Sequence, residues 1–249
     1  MNALGIVGGA LGIGAGIAAW GAVYPGSQLF GPTIRRTGRA SVVALTFDDG
    51  PNPAVTPRLL DLLERHSVRA TFFLIGRHVR ACPDLAAQIA ARGHVVANHS
   101  DTHPRLVWLS TSATLGELRR CQDAVERATG RVPRWMRPPY GFRGPQTLSA
   151  MRKAGFDAMV MWSALAWDWK PQPAARVIAR LQKVRGGDIV LMHDGAPEGL
   201  GADRAHVVAA LEHWLPRWKD AGLEFLTLDD LAAAGATTRT PAEAGERFE

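Results

Sequence analysis

A chain of 249 residues, 47% hydrophobic and 21% charged, has enough apolar side chain for one large domain, which excludes wholesale disorder. Its two cysteines, Cys82 and Cys121, are far apart and form no Cys-x-x-Cys pair, so neither a disulfide framework nor a thiolate metal site is expected. The formal charge of +6 comes mostly from arginine; no dense basic run interleaves with aromatics, and no nucleic-acid partner is expected.

Residues 1–34 carry no charged side chain, and residues 4–24 are almost wholly apolar or glycine. That length can cross a bilayer core as a helix. Gly5, Gly8, Gly9, Gly12 and Gly16 supply small-xxx-small spacings suited to close helix packing. We read residues 1–24 as a transmembrane anchor that contacts the membrane through residues 4–24. A cleaved signal is the alternative, with a small-x-small site at Ala19-Trp20-Gly21. Arg35, Arg36 and Arg39 follow the segment, and the positive-inside rule on its own would put the rest of the chain in the cytoplasm. Residues 25–40, with Pro25-Gly26-Ser27 and Gly31-Pro32, read as a linker.

From residue 41 short apolar runs alternate with helical periodicity. Strands are predicted at 42–47, 70–75, 95–98, 135–137, 158–161, 188–192 and 225–227. Helices are predicted at 57–66, 83–92, 112–129, 145–154, 173–184 and 204–221. Glycine or proline punctuates most junctions, as at Gly93, Gly130, Gly155 and Gly222. This alternation predicts parallel strands joined by helical crossovers. About seven such units suggest an α/β fold of the distorted or incomplete (β/α) barrel type more than an open doubly wound sheet. No Gly-x-Gly-x-x-Gly or P-loop follows the first strand. Residues 232–249 lack periodicity and read as a flexible tail.

The chemistry gathers at strand ends. Thr46-Phe47-Asp48-Asp49-Gly50-Pro51 closes the first strand. Neighbouring residues there point to different sides, so one carboxylate can bind a metal while the other serves as a base. His99-Ser100-Asp101-Thr102-His103 follows the third strand, with two imidazoles at i and i+4 that can converge on one ion. Asp plus two His makes a three-ligand site with open positions, as a hydrolytic metal needs. Arg137-Pro138-Pro139-Tyr140 follows the fourth strand, Trp167-Asp168-Trp169 lies beyond the fifth, and Leu191-Met192-His193-Asp194 ends the sixth. Alone, an Asp-Gly is usually a turn and a lone His a satisfied polar group. Together they all fall at the carboxyl ends of strands, where parallel barrels carry their chemistry.

From residue 41 to residue 231 the chain resembles the polysaccharide deacetylase family, the NodB-homology carbohydrate esterases. The motifs Thr-Phe-Asp-Asp-Gly-Pro, His-Ser-x-x-His, Arg-x-Pro-Tyr, Asp-Trp and Leu-x-His occur in order. The resemblance implies a distorted (β/α) barrel and metal-dependent removal of N-acetyl groups from N-acetylglucosamine glycans, such as peptidoglycan or chitin-like oligosaccharides. It implies Asp49, His99 and His103 as metal ligands, Asp48 as general base and Arg137 as the residue that orients it. It implies His193 as general acid paired with Asp168, and the backbone N–H of Tyr140 as an oxyanion donor. Pro138, Trp169 and Leu191 would belong to the acetyl pocket. It also implies a domain outside a bacterial inner membrane, and we follow that over the arginine bias.

The donor set suits a divalent metal, zinc first, with cobalt, manganese or nickel able to substitute. One position departs from the family. Many members carry a second Asp three residues before the Asp-Trp pair, where this chain has Leu165. Trp162 and Trp167 fit either sugar stacking or core packing. Asp194-Gly195 reads as a turn that could brace His193, and the Trp214/Trp218 pair as core. Two other readings stay open here: a glycan-binding protein without catalysis, and a non-haem Fe(II) oxygenase, which also uses two His and one carboxylate.

Overall fold

The computed structural model describes residue 14 and residues 16–235. Its centre is β2 (Val42–Asp48), seven residues that are all buried. Around it lie β1 (Thr33–Ile34), β3 (Thr71–Leu74), β4 (Val95–Asn98), β5 (Trp135–Met136), β6 (Ala158–Val160), β7 (Ala164–Leu165), β8 (Ile189–His193) and β9 (Glu224–Phe225). These form one sheet in the order β1-β6-β5-β4-β3-β2-β8-β7, with β9 paired to the start of β2. Every ladder is parallel. This is the incomplete barrel that the strand–helix alternation predicts. β1 and β7, two residues each, are not among the predicted strands, whereas β5 and β9, equally short, are.

The crossovers are helical: α2 (Thr56–Arg65), α4 (Pro83–Ala91), α5 (Thr111–Thr129), α6 (Pro145–Ala154), α7 (Ala174–Leu181) and α8 (Ala205–Asp220). Two short helices escaped the sequence reading, α3 (Gly76–Ala81) and α9 (Leu228–Ala233). α5 shows why the helices begin and end where they do. The Ser110 side chain accepts from the Ala113 N–H at its start, and Gly130 takes a left-handed conformation at its end (φ 69°).

The alternation of β2 divides the core. Val43, Leu45 and Phe47 pack outward on the leucines of α2 and on Val207 and Leu211 of α8. Val42 and Ala44 face inward, with Phe73, Ala97, Val160 and Ile189, where Leu228 and Leu231 of α9 also pack. Each fully buried side chain of this size contributes about 1.5–3 kcal/mol. Continuing the inward column, Thr46 and then Asp48 stand above that apolar floor. β2 is in register with β8 so that Asp48 lies opposite His193, and β4 with β5 so that Asn98 lies opposite Met136. The residues after these positions therefore emerge at one level.

The transmembrane anchor expected at residues 1–24 is overturned. Among the described residues no helix is long and apolar enough to cross a membrane. Residues 1–13 and 15 lie outside the described residues, and residues 16–23 are helical (α1). The end of α1 is also tied to the domain, because the Arg143 N–H donates to the Ala22 carbonyl. The membrane contact expected through residues 4–24 is likewise unsupported by the described residues, which leave out 4–13 and 15. The tail expected at 232–249 lies outside the described residues from 236 onward.

Candidate metal centre and active-site cleft

Asp49, His99 and His103, all buried, bring one ligand atom each within 4.8 Å of one another. The chain leaves β2 through Asp49 in the left-handed region (φ 73°), which separates its carboxylate from that of Asp48. Gly195 passes so near the Asp49 carbonyl that a Cβ there would collide with it. His78 Nδ1 lies 3.0 Å from the same carbonyl and donates to it. His99 Nδ1 lies 2.8 Å from the Arg137 carbonyl. A carbonyl only accepts, so Nδ1 carries the proton and Nε2 presents its lone pair. His99 Nε2 and His103 Nε2 lie 3.5 Å and 3.3 Å from Asp49 Oδ1.

These residues fit a metal. Asp49 Oδ1 is buried without a hydrogen-bond partner. Burial pushes His99 down to about 3 and His103 down to about 2, so both are neutral near pH 7. Burial and, in smaller part, the neighbouring carboxylates push Asp49 up to about 7. Three electron-pair donors therefore face one another, and a divalent cation would supply the missing partner.

The loop carrying both histidines is stapled from α5. The buried Glu117 accepts from the Asp101 N–H (3.1 Å), the Thr102 N–H (2.8 Å) and the Thr102 hydroxyl (3.1 Å). Asp101 in turn pairs with Arg80 (2.6 Å) and Arg120 (3.0 Å). At the start of α3 the Gly76 and Arg77 N–H groups donate to the Ser100 and Asp101 carbonyls.

Two titratable pairs flank the triad. Arg137, fully buried, donates from Nη1 to Asp48 Oδ1 at 2.6 Å and to the Thr46 hydroxyl at 2.9 Å. Its Nε and Nη2 donate to the carbonyls of Val160 and Met161, and its guanidinium stacks 4.1 Å over the Phe73 ring. The other Asp48 oxygen, Oδ2, lies 3.6 Å from His99 Nε2 at the triad. Burial pushes the Asp48 carboxyl up, and the Arg137 charge opposes it. On the other side, His193 Nδ1 lies 2.9 Å from Asp168 Oδ1. Burial acts to lower His193, but the charge and hydrogen bond of Asp168, together with the charges of Asp49 and Asp48, outweigh it and raise the imidazole to about 9.

A cleft of about 1100 Å³ opens over this centre. Asp48, Asp49, His99, His103 and His193 reach it, as do Tyr140, Trp169 and Leu191. Arg137 and Asp168 are fully buried behind it. Pro138 is buried, and the residues that follow it in the turn, Tyr140 and Gly141, line the cleft. Leu165 lies in register with Leu191, so the position where many family members have an acid is apolar wall here. Trp162 and Trp167 both line the cleft. Asp194 accepts from the Thr56 hydroxyl and does not brace the His193 ring. Trp214 and Trp218 stack at 5.6 Å, and Trp218 is in the core.

Sequence reasoning missed the supports. Glu117 carried no signal beyond its place on a helix. From the start of α8, His206 Nε2 donates to the Asp168 carbonyl (2.9 Å) and Arg204 Nη2 to the Trp169 carbonyl (2.7 Å). Nothing in the local sequence connects α8 with that loop.

An open parallel barrel with a buried carboxylate–imidazole triad at its carboxyl edge defines a class, the (β/α)-barrel enzymes with a single metal centre. The family model described as "Polysaccharide deacetylase" matches residues 35–159. A chitooligosaccharide deacetylase of Bradyrhizobium sp. is 40% identical over 197 residues, which is 76% of this chain and 90% of that protein. The peptidoglycan-N-acetylglucosamine deacetylase PgdA of Listeria monocytogenes is 36% identical over 84% of this chain, which spans only 42% of that relative. The crystal structure of the Bc1960 peptidoglycan N-acetylglucosamine deacetylase superposes with a TM-score of 0.74 at 32% identity, covering 80% of this chain and 91% of that one. The chain belongs to the polysaccharide deacetylase family.

Proposed function

We propose that this protein is a metal-dependent hydrolase that removes N-acetyl groups from N-acetylglucosamine-containing glycans, of the peptidoglycan or chitooligosaccharide kind on which its relatives are named. The observation that carries this reading is the pair of proton-transfer groups on either side of one metal triad. Asp48 is backed by Arg137, and His193 is held by Asp168. An oxygenase would leave both pairs without a role, and glycan binding alone needs neither a base nor an acid.

When bound by Asp49, His99 and His103, a divalent metal supplies Lewis-acid polarisation of the amide carbonyl and lowers the pKa of a nearby water. Zinc is the first choice for a set of one carboxylate and two imidazoles. Asp48 takes the proton of the attacking water at Oδ2, while Arg137 pins Oδ1 and so aims the carboxylate. The amide nitrogen leaves as an amine once His193 Nε2 protonates it, and Asp168 stabilises the imidazolium beforehand. Tyr140 takes a left-handed backbone (φ 59°) at the cleft, and its N–H is the proposed donor to the developing oxyanion. Leu191, Leu165 and Trp169 form the apolar wall for the acetyl methyl. A peptidoglycan substrate would put the site of action outside the cytoplasmic membrane, as the sequence reading expects.

The test is acetate release by the full chain from chitooligosaccharides and from peptidoglycan, with zinc and after chelation. Metal-dependent release is expected on at least one. No release from either, with zinc demonstrably bound, would overturn the reading.

A further inference from the structure

We propose that Arg143 is a positioning residue that ties the segment before β1 to the cleft-side turn at Tyr140, which makes residues 22–28 a working part of the site. Arg143 is fully buried, and its side-chain partners among the described residues include no carboxylate. It is held by carbonyls instead. Nη1 donates to Gly141 (3.2 Å), and Nη2 donates to Tyr24 (2.6 Å) and Ser27 (2.9 Å). Its backbone N–H donates to Ala22 (3.2 Å). One planar fork thus joins two distant stretches of chain, a geometry that lysine cannot reproduce.

The segment is anchored elsewhere as well. Ser27 is buried, and Gln28 Oε1 accepts from the Thr33 N–H at 2.9 Å. Gly31 (φ 112°) passes so close to Leu148 and Met159 that a Cβ would lie 2.6 Å from one Leu148 methyl. The fork's other end is the turn Pro139–Gly141, where Tyr140 occupies a backbone region unfavourable to a side chain and sets its ring 4.6 Å from that of His103. Such a conformation persists only where the surroundings enforce it. The Gly141 carbonyl shares its cation with Tyr24 and Ser27, so displacing residues 22–28 frees the turn, and the buried charge then lacks compensation.

The catalytic consequence rests on the deacetylase reading, whereas the physical link does not. The full chain is compared as wild type, Arg143→Met and Arg143→Lys, by segment-resolved hydrogen exchange, steady-state kinetics and zinc titration. Arg143→Met should speed exchange at residues 22–28 and at 138–142 together. It should lower kcat roughly ten- to hundredfold with zinc affinity unchanged. Arg143→Lys, which keeps the charge but not the fork, should fall between, and it decides the matter if the Met variant does not fold. Faster exchange at 22–28 alone, with 138–142 and kcat at wild-type values, would reduce Arg143 to an anchor for the N-terminal segment. A wild-type chain without turnover would refute the deacetylase reading only, because the exchange comparison still tests the link.

Discussion

The Asp168 carboxylate holds His193 at two points: Oδ1 lies 2.9 Å from the ring Nδ1, and Oδ2 accepts the His193 backbone N–H at 2.8 Å. The carboxylate cannot donate, so the Nδ1 proton is fixed and Nε2 is the nitrogen left for substrate. This grip decides where the acid titrates.

His193 is raised from 6.5 to about 9 in the folded chain, above its unfolded value. The pair's contribution to stability is therefore complete below pH 6.5 and lost as pH rises through about 9. Activity that needs the imidazolium declines along the same limb, and a cation bound beside it pulls that limb to lower pH. Asp168→Asn removes the charge that raises His193. The kcat–pH profile on a chitooligosaccharide should then show its basic limb shifted acid by more than about one unit, with kcat reduced roughly 10²–10⁴-fold. An unmoved basic limb would exclude His193 as the acid.

Asp48→Asn keeps the shape but cannot take a proton. Acetate release should drop roughly 10²–10⁴-fold, while zinc titration stays near wild type because Asp48 is outside the triad. The variant should also melt lower, since Arg137 then has no carboxylate to offset its buried charge. Wild-type turnover in this variant would remove Asp48 from the role of base.

Glu117 touches neither metal nor cleft, yet it accepts three hydrogen bonds from the Asp101–Thr102 stretch between the two histidines. Glu117→Ala strands three donors at a cost of about 1–3 kcal/mol for each one left buried. Zinc affinity, measured by competition with a chromophoric chelator, should weaken roughly 10–100-fold. An unchanged zinc affinity would show that the His99–His103 loop holds its shape without α5.

Trp167, a residue 53% exposed, lies in the cleft with its ring 5.0 Å from that of Trp169, while Arg180 and Gln172 hold its backbone carbonyl. A rigid, exposed indole pair suits the C–H face of a sugar ring. Trp167→Ala should raise KM for a chitotetraose-length substrate roughly three- to tenfold with little effect on kcat. If KM were the same for short and long oligomers in both proteins, Trp167 would not be a sugar platform.

Much of this architecture was legible locally. The apolar run of β2, the Pro-started leucine helix α2 and the glycine after α5 each show their element within a few residues. The motif ends could be ordered along the strands for the same reason. The strands β1 and β7 were not read, although β5 and β9, equally short, were; β1 lies in the stretch read as a linker, and its pairing with β6 holds it extended. The N-terminal segment misled because apolar composition by itself does not make a bilayer span, and composition does not record that its end is tied to the domain through Arg143.

The sequence by itself determined the alternation of strand and helix, the carboxyl-edge position of every candidate residue and the Asp-His-His donor set, because these follow from periodicity and spacing within short windows. The tertiary structure decided which atoms meet. Arg137 finds Asp48 across 89 residues, His193 finds Asp168 across 25, and Arg143 finds Tyr24 across 119. A buried charge must have a partner wherever the fold can bring one, and no local pattern records where that partner comes from.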